Sequence, residues 1–99
     1  MTDRVGVKVL KLTADGQVTT KPALLKAICT MHSQGSSGTI SLYDKASAPV
    51  EGDVAKCSID VVAQGVYPFY VPEPGALFEK GIYADLPAHT SVNFFYTDV

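Results

Sequence analysis

Apolar and polar residues alternate along most of this chain, in short runs that end at glycine, proline or Asp-Gly signals. A period of two places successive side chains on opposite faces of a β-strand. The runs recur about every ten residues, which predicts about seven or eight short strands. They are predicted over residues 4–12, 18–20, 22–32, 38–44, 54–63, 66–71, 81–86 and 91–97.

This spacing of strands and turns predicts an all-β fold, a two-sheet antiparallel β-sandwich with jelly-roll topology. A chain of 99 residues has surface enough for one hydrophobic core and not for two. We therefore expect a single domain over residues 1–99. Residues 1–21 would be an N-terminal strand or arm, and residues 22–99 the main body.

Residues 71–86 predict a corner between two sheets. Proline has no amide donor for a strand ladder, and glycine permits positive φ or a bulge. We expect the chain to leave one sheet here, to direct Leu77 and Phe78 inward, and to begin a strand in the other sheet. The predicted turn residues are Pro72, Pro74, Gly75 and Gly81.

Residues 22–32 fit two patterns. A helical stripe would contain Leu24, Leu25, Ile28 and Met31, whereas strand alternation would align Leu25, Ala27, Cys29 and Met31. The β-branched residues in the segment favour the strand.

Residues 4–12 change parity. Val5, Val7 and Val9 share one face, and Leu10 and Leu12 the other, which indicates a bulge or a strand buried on both faces. The following Asp-Gly turn predicts a hairpin return at residues 18–20. Further along, Pro68 marks residues 66–71 as an edge strand.

Charge and composition exclude several functions. The net charge is −2 and the basic residues are scattered, which argues against nucleic-acid binding. No segment approaches the roughly 20 apolar residues that span a bilayer. The first residues lack the layout of a signal peptide, so we expect a chain made in cytoplasm. Cys29 and Cys57 are expected to be reduced thiols in the core.

No catalytic, metal or cofactor site is predicted. The segment 35–38 lacks the Gly-x-Ser-x-Gly spacing of a nucleophile elbow. Residues three apart on a strand point to opposite faces, so Cys29 and His32 would not share a metal with Cys57 and His89. Nothing in the spacing of the acids singles out a catalytic pair. The acids considered are Asp44, Asp60, Glu73 and Asp85.

Aromatic residues crowd the final third of the chain. Residues 92–96 place large rings on both faces of one strand, so one face must meet a second sheet, a neighbouring subunit or a sugar. The absence of Trp removes the usual platform for sugar stacking, which favours a protein partner. The candidate interface residues are Tyr67, Phe69, Tyr70, Phe95 and Tyr96.

Residues 24–96 resemble a family of small virion proteins of tailed bacteriophages. The resemblance rests on a strand ending in Tyr43-Asp44 before a small-residue linker, the Pro/Gly corner at 72–75, the Gly-Ile-Tyr strand at 81–83 and the aromatic strand at 92–96. It implies a non-enzymatic decoration (cement) protein, assembled in host cytoplasm and located on the virion. Its partners would be the major capsid protein or another virion protein, and its own copies as a homo-oligomer, with a trimer favoured. The alternative is a receptor- or glycan-binding module of a tail or fibre.

Overall fold

The computed structural model describes residues 6–33, 37–61 and 64–99. This part of the chain contains nine strands and no helix, and hence none long and apolar enough to cross a membrane. The strands are β1 (Lys8–Leu12), β2 (Gly16–Thr19), β3 (Ala23–His32), β4 (Gly38–Tyr43), β5 (Cys57–Val61), β6 (Gly65–Tyr70), β7 (Ala76–Phe78), β8 (Ile82–Asp85) and β9 (Thr90–Asp98). Relative to the sequence prediction, the additional strand is β7, which lies in the predicted corner. Predictions for residues 1–5, 34–36 and 62–63 lie outside the described residues.

The strands form two antiparallel sheets. The first sheet has the order β1-β9-β3-β6, with β7 also pairing with β3, and the second has the order β2-β8-β4-β5. Apart from β7, the strands pair β1 with β9, β2 with β8, β3 with β6 and β4 with β5. These pairs are nested, as the paired strands of one long folded hairpin are, and successive pairs alternate between the two sheets. This is jelly-roll connectivity. The predicted sandwich is confirmed.

The core lies between the two sheets. Each large apolar side chain removed from water there contributes about 1.5–3 kcal/mol. Its largest fully buried apolar members are Phe78, Phe94, Ile40, Leu42, Ile82, Val61 and Val92.

The buried polar side chains at the end of β3 are hydrogen-bonded. Thr30 Oγ1 donates to the Tyr67 carbonyl at 3.1 Å. The Thr90 hydroxyl donates to the Ala88 carbonyl at 3.2 Å, so it accepts from His32 Nδ1 at 2.8 Å. His32 is therefore part of the structural framework at this end of the sheet.

The segment 22–32 is a strand, but the predicted alternation is wrong after Leu25. A bulge shifts the register between Leu25 and Ala27. The extra residue reverses the parity, so Ile28 is buried while Ala27 and Met31 point outward.

At the N-terminus, the structure gives a strand with two apolar faces and no bulge. β1 pairs with β9 in unbroken register. Leu10 and Leu12 pack against the core, whereas Val7 and Val9 are exposed on the other side. The predicted Asp-Gly hairpin is wrong, because β1 and β2 belong to different sheets. The turn instead carries the chain across the sandwich.

The two cysteines are free, as predicted, but neither is in the buried core. Cys29 follows the bulge of β3 and points away from the second sheet. Cys57 is exposed at the start of the edge strand β5. The prediction of core thiols was therefore wrong, since a bulge and an edge position each override the apolar alternation.

Candidate protein–protein interface

The side of the first sheet that faces away from the second sheet is largely apolar, and we call it the outer face. Cross-strand partners project to the same side of a sheet, so the registers define its rows. One row crosses four strands as Val9, Phe95, Ala27 and Tyr70. The apolar residues of the outer face are Val7, Val9, Leu24, Ala27, Met31, Val66, Pro68, Tyr70, Leu77 and Phe95.

Several of these side chains are well exposed. Tyr70 exposes 82% of its surface, Val9 57% and Leu77 43%. Single exposed apolar residues are ordinary on soluble proteins, but a contiguous set indicates a contact surface. The outer face is such a set, because its members are neighbours in adjacent strands.

A shallow apolar depression of about 360 Å³ lies in the middle of the outer face. Ala27, Cys29, Pro68, Tyr70 and Phe95 line it. The small side chain of Ala27 between two aromatic rings creates the space. The outer face is therefore uneven, and the exposed ring of Tyr70 forms one side of the depression.

β6 lies at the edge of the first sheet, as Pro68 predicted, and its free edge is a poor template for another strand. The Val71 amide donates to the Lys26 carbonyl at 3.0 Å, which makes residues 26 and 71 a hydrogen-bonded pair. Bonded and non-bonded pairs alternate along an antiparallel ladder, so Pro68, opposite Cys29, belongs to a non-bonded pair. The missing N–H of Pro68 therefore falls on the side away from β3. This favours contact through the outer face over strand addition at β6.

The structure divides the predicted interface residues between two environments. Tyr70 and Phe95 lie on the outer face. Tyr67 and Phe69 point to the core side and are partly buried, and Tyr96 is 9% exposed between the sheets.

Sequence reasoning did not select several members of the outer face. The sequence signal for this face was present in β1 and β9, where apolar residues occur at both odd and even positions of the strand. Those it did not select are Val7, Val9, Leu24, Ala27, Met31, Val66, Pro68 and Leu77.

The chain changes sheets within the predicted corner, but the corner contains a strand and only one of the two side chains predicted to point inward does so. β7 pairs with β3 in the first sheet, whereas β8 belongs to the second. Phe78 is buried as expected, but Leu77 points to the outer face. The turn at Pro72 and Pro74 closes with a bond from the Gly75 amide to the Pro72 carbonyl at 2.8 Å.

Asp44 ties β4 to this corner. Its carboxylate accepts the backbone amides of Glu79 at 3.1 Å and Lys80 at 2.8 Å. Partial burial raises the pKa of Asp44, but the amides of Lys80, Glu79 and Gly81 and the charge of Lys56 outweigh it. The pKa is therefore below its ordinary value. The Tyr-Asp and Gly-Ile-Tyr motifs noted in the sequence thus meet in space.

Replacing Asp44 with asparagine should lower the free energy of unfolding by about 1–2 kcal/mol at pH 7, because charge-assisted bonds to two amides are weakened. A lowered pKa stabilises the fold above the ordinary pKa, and this contribution is lost as pH falls through the folded-state value. The difference between the wild type and Asp44→Asn should therefore shrink below about pH 4. Urea unfolding of the wild type and of Asp44→Asn at pH 7 and pH 3 measures this difference in the free energy of unfolding.

Asp60→Asn is the matched control, since Asp60 accepts one exposed bond from the Thr39 hydroxyl at 2.9 Å. We expect a change of less than about 0.5 kcal/mol. An equal loss for Asp44→Asn at both pH values would contradict the role of the carboxylate charge.

The acids considered for catalysis have separate partners. Asp44 binds the corner amides, Asp60 binds Thr39, and Glu73 pairs with Lys26 at 3.0 Å. Partial burial, followed by a bond to Asp15 and its charge, raises the pKa of Asp85.

Within residues 6–33, 37–61 and 64–99, no three Asp, Glu, His or Cys side chains form a metal-binding cluster.

The chain matches no protein-family model, and comparison with curated proteins and with solved structures gives no match.

Proposed function

We propose that this protein is a non-enzymatic structural component of a virion, a decoration (cement) protein that stabilises a tailed-phage head through protein–protein contacts. It would be assembled in host cytoplasm, with the major capsid protein or another virion protein as partner. The observation that carries the proposal is the outer face, a contiguous apolar surface on the first sheet.

The physical argument rests on where the apolar surface lies. β9 and β3 form the middle of the first sheet. β3 presents apolar side chains to the core and to the outside, and β9 adds Phe95 to the outside between Asn93 and Thr97. A sheet with two apolar faces is typical of one that is covered on both sides. The second sheet covers one face, so a protein partner on the other would remove the remaining rows from water.

The fold is compatible with this role. Jelly-roll sandwiches occur in viral capsid proteins and in lectins, but a fold alone does not determine a function. The support therefore comes from the surface. The receptor- or glycan-binding alternative stays a prediction.

Binding to capsids tests the proposal. Capsids of the phage that encodes this chain, prepared without it, should bind the purified protein saturably in a co-sedimentation assay. Tyr70→Asp and Val9→Asp should each weaken binding at least about tenfold, because a carboxylate would be desolvated in an apolar contact.

Val54→Asp is the matched control. Val54 exposes 86% of its surface on the loop between β4 and β5, away from the outer face. It should bind like the wild type. The proposal fails if the wild-type protein does not bind capsids, or if Val54→Asp loses binding as strongly as the face variants.

A further inference from the structure

The outer face carries a protruding ring next to a hollow that can hold such a ring. Tyr70 is 82% exposed. The depression that Tyr70 lines together with Ala27 and Phe95 has a volume of about 360 Å³. A cavity of roughly 150 Å³ is enough to hold benzene, so a phenol ring from a partner fits.

We propose that the occupant of the outer face is a second copy of this chain, packed across a twofold axis so that Tyr70 of each copy enters the depression of the other. This inference rests on the proposed function, since the second copy would cover the same outer face in the free protein and would have to dissociate before that face binds a capsid. The axis lies in the plane between the two faces and passes between Tyr70 and the depression. Such an interface is isologous: it uses the same patch on both copies.

The distribution of charge permits this face to meet its own copy. The row of Val9, Phe95, Ala27 and Tyr70 is uncharged. Among the described residues, Lys11 lies at the β1 edge of the face. Lys26 lies near the corner, where its ammonium donates to Glu73 at 3.0 Å and to the Pro74 carbonyl at 2.6 Å. A charge in the middle would face a like charge across the axis, whereas charges at the rim stay hydrated.

The size of the face limits the area that two copies can bury. Four strands about 4.8 Å apart and four rows about 6.8 Å apart give about 500 Å² per copy. The pair would bury about 1,000 Å², which is the lower limit for a specific interface. We therefore expect a reversible dimer with a Kd in the micromolar range.

Sedimentation velocity over about 1–500 µM protein tests the arrangement, a range that brackets such a Kd. The wild type should pass from monomer to dimer. Tyr70→Asp removes the ring and Ala27→Arg fills the depression, so each should weaken self-association at least about tenfold. Val54→Asp should behave like the wild type. Circular dichroism of Ala27→Arg checks its fold, and the exposed Tyr70 provides a variant that does not disturb packing.

Mixing the two variants gives the sharpest result. In a mixed pair, the carboxylate introduced at Tyr70 of one copy meets the guanidinium introduced at Ala27 of the other. The remaining Tyr70 enters a depression that keeps Ala27 and Phe95 but has lost its own Tyr70 ring. The mixture should therefore form dimers where each variant alone does not. Dimers of the wild type without this complementation would overturn the proposed arrangement, and a wild-type trimer would overturn the twofold axis.

The same proteins distinguish this inference from the proposed function. If the wild type stays monomeric at every concentration but binds capsids through Tyr70, the second copy is wrong and the function stands. Complementing dimers that ignore capsids would support the second copy and overturn the function. A monomer that ignores capsids would overturn both.

Discussion

Replacing Gly81 with valine is expected to lower the free energy of unfolding by about 3 kcal/mol or more, a large fraction of the stability of a typical domain. Gly81 has φ of +155°, a conformation that side-chain-bearing residues rarely adopt. A Cβ there would lie 2.6 Å from the Thr19 carbonyl oxygen and 2.9 Å from that of Lys45. Both atoms belong to the backbone, so neither can move aside without disturbing the end of β2 or the segment after β4.

Gly52→Val separates the effect of the positive φ from the effect of the contact between a Cβ and the two carbonyl oxygens. Gly52 also has positive φ, +94°, but nothing lies within 4 Å of its hypothetical Cβ. This control should lose only the conformational contribution, about 1 kcal/mol. Urea unfolding of both variants at pH 7 gives the comparison. Equal losses would show that the contact with the two carbonyls is unimportant.

The alternation of apolar residues was sufficient to predict the class of fold, because period two is a local property of each strand. It did not predict which face of a strand is buried wherever the backbone departs from regular pairing. In β3, a bulge after Leu25 reverses which alternate side chains face the core. No residue type in this segment indicates the bulge. The Asp-Gly turn after β1 is likewise locally a hairpin signal. The need to place β1 beside β9 and β2 beside β8 overrides it.

The candidate interface was predictable in part. Tyr70 and Phe95 were identified from the crowding of aromatic residues, and both lie on the outer face. Tyr67 and Tyr96 were selected by the same reasoning but point toward the core. Composition shows how much apolar side-chain surface the chain has. Which face of a sheet carries that surface depends on strand registers, and these link strands far apart in sequence. The depression follows from Ala27 meeting Phe95 and Tyr70, which only the pairing of three strands reveals.

The backbone carbonyls that exclude a side chain at Gly81 are also held together by one amide. Gln17 Nε2 lies 2.8 Å from the carbonyl oxygens of Thr19, Lys45 and Ile82. Carbonyl oxygens only accept hydrogen bonds, so the amide nitrogen must face them. The end of β2, the segment after β4 and the start of β8 therefore converge on a single donor group. The absent Cβ of Gly81 leaves room for this convergence.

Replacing Gln17 with glutamate should lower the free energy of unfolding by about 3 kcal/mol or more at pH 7, because a carboxylate would face three acceptor oxygens with no proton between them. A protonated carboxyl can donate one bond, so acidification should relieve part of the loss. Gln64→Glu, on an exposed residue, is the matched control and should change stability by less than about 0.5 kcal/mol. Urea unfolding of both variants at pH 7 and pH 4 measures the difference. If Gln17→Glu is no less stable than Gln64→Glu at pH 7, the three carbonyls do not depend on this amide, and the junction is held by strand pairing and by Asp44 alone.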